Sequence, residues 1–237
     1  MSALWRPRTL ILQHEKATPP GLVTGWLAAQ GGETEVLRID ETAPRARPDE
    51  YDLIVSLGSE FAAFDDSIPF VPQEAKFFAE ALEADVPILG LCFGGQMLAR
   101  VLGSRLYRSE RSEIGWLPVR THDPELVDGG PWFQWHFDTF TAPPGATLIA
   151  ESDVGPQAFV AGRSLGTQFH PEVTSEIMDE WVRVYPHELE AEGVDPQGLL
   201  EETKQLAAQC RVRTWRLFDR FRDRVAVLTP RSRESTR

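Results

Sequence analysis

The chain has 237 residues, 42% of them hydrophobic and 25% charged, which suits one large soluble domain, or a core with an appendage, able to bury a sizeable interior. Acidic residues outnumber basic ones 36 to 24, for a formal net charge of −12. That balance disfavours nucleic acid and anionic membrane as partners, and no apolar run approaches the ~20 residues that span a bilayer.

In chain order, Thr9–Gln13 is a short apolar run that predicts a buried strand. Pro19 and Pro20 make a loop, and Gly21–Gln30 predicts a short helix ended by Gly31-Gly32. Glu35–Ile39 and Asp52–Leu57 predict two further strands, separated by a charged, proline-containing loop. Phe61–Pro72 reads as irregular. A helix is expected from Pro72 to Ala84, with Ala75, Phe78, Ala79 and Leu82 on its apolar face. Val86–Leu91 is wholly apolar, as a central parallel strand should be, and Gly94–Leu102 predicts the helix after it. The alternation of strands and helices is that of a parallel sheet covered on both faces.

From Leu106 to Phe169 the pattern changes to short strand-like runs at Trp116–Arg120, Thr147–Ala150, Ala158–Val160 and Leu165–Phe169, which predict antiparallel additions. Thr174–Tyr185 predicts a helix and Pro186–Pro196 a linker-like turn. A long helix is expected from Gln197 to Val225, packing through Trp215, Phe218, Phe221 and Val225. The polar tail Thr229–Arg237 is expected to fray. The expected organisation is one α/β domain over 1–185, with a helical extension over 186–237 packed on it.

Two cysteines far apart, Cys92 and Cys210, make neither a disulfide framework nor a Cys-based zinc site. Met1–Pro7 lacks the apolar stretch of a secretory signal. The expectation is a reduced, cytoplasmic protein with no cofactor and no metal.

A lone cysteine ordinarily packs, and Cys210 is read that way, as are His14, His122 and His187, which have no partner visible in the sequence. Cys92 differs. It lies between an apolar strand and a helix, within Gly90-x-Cys92-x-Gly94. A sharp strand-to-helix turn crowds its neighbours, and glycines two before and two after relieve that crowding. The turn sets the sulfur beside a helix N-terminus, which favours thiolate, the reactive form.

A nucleophile needs a base, and Phe169-His170-Pro171-Glu172 offers one. Residues two apart on an extended chain share a face, so Glu172 can hold the His170 imidazole, giving a Cys92–His170–Glu172 triad. Acyl transfer also needs donors for a developing oxyanion. The Phe93 N–H is one candidate. The Gly58-Ser59 turn, at the end of the neighbouring strand, offers the other through the Ser59 N–H.

These two motifs, Gly90-Leu91-Cys92-Phe93-Gly94-Gly95-Gln96 and Phe169-His170-Pro171-Glu172, resemble the class I, triad-type glutamine amidotransferase family, collinearly from about Thr9 to Trp181. Glu113-Ile114-Gly115-Trp116 and Trp135-His136-Phe137-Asp138 resemble its stand-alone, GMP-synthase-like branch. The resemblance implies a flavodoxin-like, mostly parallel sheet with helices on both faces. It implies attack of Cys92 on the glutamine side-chain amide, with Gln96 contacting bound glutamine and a His136–Asp138 loop beside its α-amino group. Two departures stand out. Gly58-Ser59-Glu60 replaces the family's usual Gly-Gly-Pro, which leaves open whether the oxyanion hole is preformed. Gly95 stands where many members carry a larger residue, which implies a roomier pocket.

Three functions fit. The first is a glutaminase passing ammonia to a synthase on another chain, since no nucleotide-binding loop is present. The second is a stand-alone hydrolase of γ-glutamyl amides, which a wider pocket at Gly95 favours. The third is an inactive regulatory module on the same fold.

Overall fold

A computed structural model describes residues 5–227; Met1–Leu4 and residues 228–237, which hold the tail expected to fray, lie outside the described residues. Five strands form the parallel part of an eight-stranded sheet: β1 (Arg8–Gln13), β2 (Glu33–Arg38), β3 (Leu53–Ser56), β4 (Ile88–Leu91) and β10 (Ser164–Thr167). Three antiparallel strands extend it past β10: β9 (Pro156–Ala161), β8 (Thr147–Glu151) and the short β6 (Arg120–Thr121). The order across the sheet is β2-β1-β3-β4-β10-β9-β8-β6. A separate ribbon pairs β5 (Leu106–Leu117) with β7 (Trp132–Phe140).

The central strands are buried on both faces, and their side chains divide by alternation. Ile11, Leu53, Val55, Leu89 and Leu91 enter one core with α1 (Leu22–Gln30) and α6 (Pro196–Arg220). Leu10, Leu12, Ile54 and Ile88 enter another with α2 (Phe70–Glu83) and α3 (Phe93–Val101). This is the flavodoxin-like arrangement expected. A third cluster, including Trp135, Ile177, Trp181, Tyr185, Leu189 and Cys210, lies where the β5–β7 ribbon meets α4 (Ser175–Val184), α5 (Pro186–Ala191) and α6.

The ends of α1 and α4 follow local chemistry. Gly31 takes a left-handed conformation at φ 73° after α1, as a C-cap glycine should. The Thr174 side chain caps α4 by accepting from the Ile177 N–H. Helix α6 begins at Pro196, with Asp195 accepting from Gln197 N–H and Gly198 N–H.

Several expectations need correction. Helix α2 begins at Phe70, and its buried stripe is Phe70, Val71, Glu74, Phe77, Phe78 and Ala81. Of the expected apolar face, Phe78 is on this stripe and Ala75 and Leu82 pack partly buried against the same core, while the stripe also takes in Glu74, a buried glutamate that an apolar pattern cannot reveal. Pro186–Ala191 is helical where a linker was expected, with proline at its first turn and Leu189 buried. His136 and Asp138 lie on strand β7, not on a loop: their aromatic-rich segment pairs with β5, His136 opposite Glu113 and Asp138 opposite Arg108. The expected strand Trp116–Arg120 divides between the end of β5 and the start of β6.

Candidate active site

The carboxyl ends of β3, β4 and β10 lie side by side, the edge at which open parallel sheets bind ligands. Strand β4 delivers Cys92 there. Its backbone has φ 51° and ψ −104°, a conformation costly for any residue but glycine. The surroundings over-determine it. Cys92 N–H donates to the Thr167 carbonyl at 2.9 Å, and Gly94 N–H donates to the Leu57 carbonyl at 3.0 Å. A Cβ at Gly90 would stand 2.4 Å from the Gly94 carbonyl oxygen, and one at Gly94 would stand 2.3 Å from that of Ser56. Both flanking glycines are therefore required by backbone packing. Cys92 is buried to 5% exposure, its sulfur 3.6 Å from Gln168 Nε2.

The chain leaving β10 delivers His170 and Glu172. The His170 Nδ1 and Glu172 Oε1 are 2.7 Å apart, and both residues are buried, so the two face each other as their spacing predicts. Trp181 packs edge-on to the imidazole at 4.8 Å between centroids. The His170 N–H donates to the Phe133 carbonyl at 2.8 Å, tying the segment to β7. Burial opposes charge on His170. The interactions of the ring with Cys92 and with the hydrogen-bonded Glu172 outweigh that penalty and hold its pKa above the ordinary imidazole value.

Gly58, after β3, completes the cluster. A Cβ there would lie 2.7 Å from His170 Cε1 and 3.8 Å from Cys92 Cβ. Only a residue without a side chain brings the Gly58-Ser59 turn this close to both. Ser59 lines the pocket above Cys92. Phe93 is the first residue of α3, so its N–H has no acceptor within that helix.

The pocket is lined by Cys92, Ser59, Gln96, His136, Asp138 and His170, with Trp135, Phe137, Trp181, Tyr185 and Glu188 forming part of its walls. Gln96 donates to the Asp138 carbonyl and to Gln168 Oε1, both at 3.2 Å. His136 Nε2 lies 3.0 Å from Glu113 Oε2, and Glu113 also accepts from Ser152 Oγ and Gln157 Nε2. Arg108 lies over the Phe137 ring and 3.5 Å from Asp138 Oδ1. Among the described residues no group of three His, Cys, Asp or Glu side chains is placed to hold a metal ion.

Two expectations about single residues fail. Gly95 does not widen the pocket: its Cα faces β10, where a Cβ would stand 2.3 Å from the Thr167 carbonyl oxygen. His14 does have partners. It is fully buried, with Nδ1 3.0 Å from the Gly58 carbonyl and Nε2 2.7 Å from Glu74. Cys210 packs as expected, and burial pushes its thiol up to about 11. Gln168 and Arg108 also join the site without having been expected there, and Glu113, expected only as part of the Glu113–Trp116 segment, joins it through His136. Gln168 carried a signal, since it precedes His170 by the same two residues that place Glu172 after it.

The sequence profile of the family "Glutamine amidotransferase class-I" matches residues 23–183. This covers well over half of the chain, which belongs to that family. A GMP synthase [glutamine-hydrolyzing] from Thermus thermophilus is 36% identical over 162 residues, covering 63% of this chain and 30% of that protein. One from Aeropyrum pernix is 36% identical over 118 residues, 44% of this chain and 23% of its own length. The chain thus spans less than a third of these relatives. The crystal structure of a glutamine amidotransferase from Thermotoga maritima superposes with a TM-score of 0.83 at 32% identity, over 90% of this chain and 97% of that one. A glutamine amidotransferase from Methylobacillus flagellatus also gives 0.83, at 26% identity, over 93% and 95%.

Proposed function

We propose that this chain hydrolyses the side-chain amide of glutamine at Cys92 and passes the ammonia to a synthase on a separate chain. The observation that carries this is the convergence of Cys92, the bonded His170–Glu172 pair and Gly58 at three adjacent strand ends. The Cys92 sulfur attacks the amide carbon, its proton passing to His170, and the carbonyl oxygen becomes an oxyanion that accepts hydrogen bonds from the Phe93 and Ser59 N–H groups. The C–N bond breaks as His170 gives a proton to the departing ammonia. The γ-glutamyl thioester is then attacked by water, which yields its proton to His170; the C–S bond breaks, His170 returns the proton to the Cys92 sulfur, and glutamate leaves. Glu172 holds the imidazole by Nδ1, leaving Nε2 for these transfers. Gln96, His136 and Asp138 shape the substrate end, with Asp138 facing the α-ammonium and Arg108 the α-carboxylate. In this reading residues 1–185 form the amidotransferase unit, and the extension over 186–237 adds Glu188 to one wall of the pocket.

A second reading, hydrolysis of substituted γ-glutamyl amides, draws on the aromatic walls at Trp135, Phe137 and Phe61, the last 37% exposed. Such rings suit a leaving amine larger than ammonia. The purified protein is assayed for glutamate release from glutamine and from a panel of N-substituted γ-glutamyl amides. Turnover of glutamine supports the first reading, and turnover of the substituted amides alone supports the second. In either case Cys92→Ala is expected to lower kcat by at least about 10³-fold. A fully active Cys92→Ala protein refutes the proposed nucleophile.

A further inference from the structure

Wherever Gly58 is the only residue that fits, the peptide after it is easily rotated, because glycine tolerates most backbone conformations. Something must then decide whether the 58–59 peptide turns its N–H or its carbonyl toward Cys92. A trans peptide holds these two groups on opposite sides, so fixing one fixes the other.

The deciding contact comes from outside the pocket. His14, just beyond β1, points its Nδ1 at the Gly58 carbonyl, 3.0 Å away. A carbonyl only accepts, so Nδ1 carries the proton. Nε2 lies 2.7 Å from Glu74 Oε2, and Ser56 Oγ–H donates to Glu74 Oε1 at 2.6 Å. His14, Glu74 and Ser56 are each fully buried. Whether the proton between His14 and Glu74 sits on nitrogen or oxygen, Nδ1–H still donates. The imidazole also packs on Phe93 at 4.4 Å and on Phe70 at 5.4 Å between centroids. One ring thus touches the side chain of Phe93 and the carbonyl that precedes Ser59, the two residues whose N–H groups form the proposed hole.

We propose that His14, held by Glu74 and Ser56, is a positioning residue that fixes the Gly58–Ser59 peptide with its carbonyl inward and the Ser59 N–H toward the reacting carbonyl, so that the oxyanion hole is preformed. This rests on the glutaminase reading above. It answers how Gly58-Ser59-Glu60 serves in place of the Gly-Gly-Pro that the family resemblance implies: a side chain from beyond another strand holds the peptide. It also explains a buried His–Glu pair that stability alone does not call for, since apolar replacements of such pairs are often neutral or stabilising. Glu15 steadies the far side of the same turn, accepting from Ser59 Oγ at 3.1 Å and from Glu60 N–H at 2.8 Å.

Two substitutions separate positioning from packing. In His14→Asn the amide nitrogen lies near the place of Nδ1 and keeps the donor to Gly58. In His14→Gln it lies near the place of Nε2 and keeps only the contact with Glu74. The expectation is that His14→Asn retains kcat within about fivefold. His14→Gln loses on the order of 10²-fold, as removal of an oxyanion donor does. In both, KM for glutamine and the rate of Cys92 alkylation by iodoacetamide, which forms no oxyanion, stay within about threefold. Equal kcat in the two variants, or a greater loss in His14→Asn, overturns the proposal. If either fails to fold, the apolar pair His14→Leu/Glu74→Met is used, and a folded protein with wild-type kcat overturns the proposal equally. A wild-type protein inactive on every γ-glutamyl amide refutes the glutaminase reading instead. A crystal structure of His14→Leu/Glu74→Met then still decides the positioning: a reversed or divided 58–59 peptide supports it, and the unchanged single orientation refutes it.

Discussion

One methyl group at residue 58 is enough to separate the turn from the dyad. Because a Cβ there would meet His170 Cε1 at 2.7 Å, and His170 is held from behind by Glu172 and Trp181, the ring or the turn must move by several tenths of an ångström. A misplacement of about 1 Å at a reacting centre can cost about 10²-fold, and one of several tenths of an ångström on the order of tenfold. Gly58→Ala is therefore expected to keep its fold by circular dichroism and lower kcat by about 10-fold to 10²-fold, measured as glutamate release. Wild-type kcat would show that the turn has slack. The sequence made Cys92, His170 and Glu172 legible because their chemistry is local: two glycines around a cysteine, and an imidazole and a carboxylate two positions apart. His14 and Glu74 were not legible. They are separated by 60 residues, and no local pattern announces that an acid in an amphipathic helix faces inward.

At the level of elements, the strands and helices that build the site were readable wherever both faces of a strand are buried or a helix has a clear cap. The β5–β7 ribbon was not, since an aromatic-rich strand such as Trp132–Phe140 reads equally as loop or strand until its partner is known. Helix α6 lies outside the two motifs, yet it reaches the site. Thr214 Oγ1, fully buried, donates to the Pro171 carbonyl at 2.6 Å, between His170 and Glu172. Proline has no N–H, so this carbonyl is the only backbone hydrogen-bonding group that Pro171 can use to anchor the segment. Thr214→Val keeps the shape of the side chain and removes the donor, leaving the carbonyl buried and unpaired. A loss of about 1–3 kcal/mol in unfolding free energy is expected from denaturant titration. A loss in kcat of a few-fold should accompany it, as the turn carrying His170 loosens. An unchanged stability would mean that Pro171 finds another donor.

For the molecule as a whole, the −12 formal charge makes its stability sensitive to pH, and individual carboxyls pull in opposite directions. Asp123, hydrogen-bonded to Arg224, and Asp223, hydrogen-bonded to Arg222, have pKa values held below the usual carboxylate range. Each contributes stability above its unfolded pKa that is lost as the pH falls through the lower folded value. Glu15 acts the other way. Burial beneath the Ser59–Glu60 turn pushes its carboxyl from 4.5 up to about 7, against the attraction of His14 and the hydrogen bonds from Glu60 and Ser59. Between those two values the folded chain binds more protons at Glu15 than the unfolded chain, so the slope of stability against pH is negative. The contribution of Glu15 is thus most favourable below about pH 4.5, declines as the pH rises to about 7, and is constant beyond. Glu15→Gln cannot ionise and lacks this slope, while the self-repulsion of the remaining charge is nearly the same. Denaturant midpoints of the two proteins, measured from about pH 5 to about pH 8, should therefore move apart, with the wild type losing stability relative to Glu15→Gln until about pH 7 and tracking it in parallel above. Parallel curves throughout would mean that Glu15 is ionised across the range, and that the turn carrying Ser59 is held by a charged clamp at every pH tested.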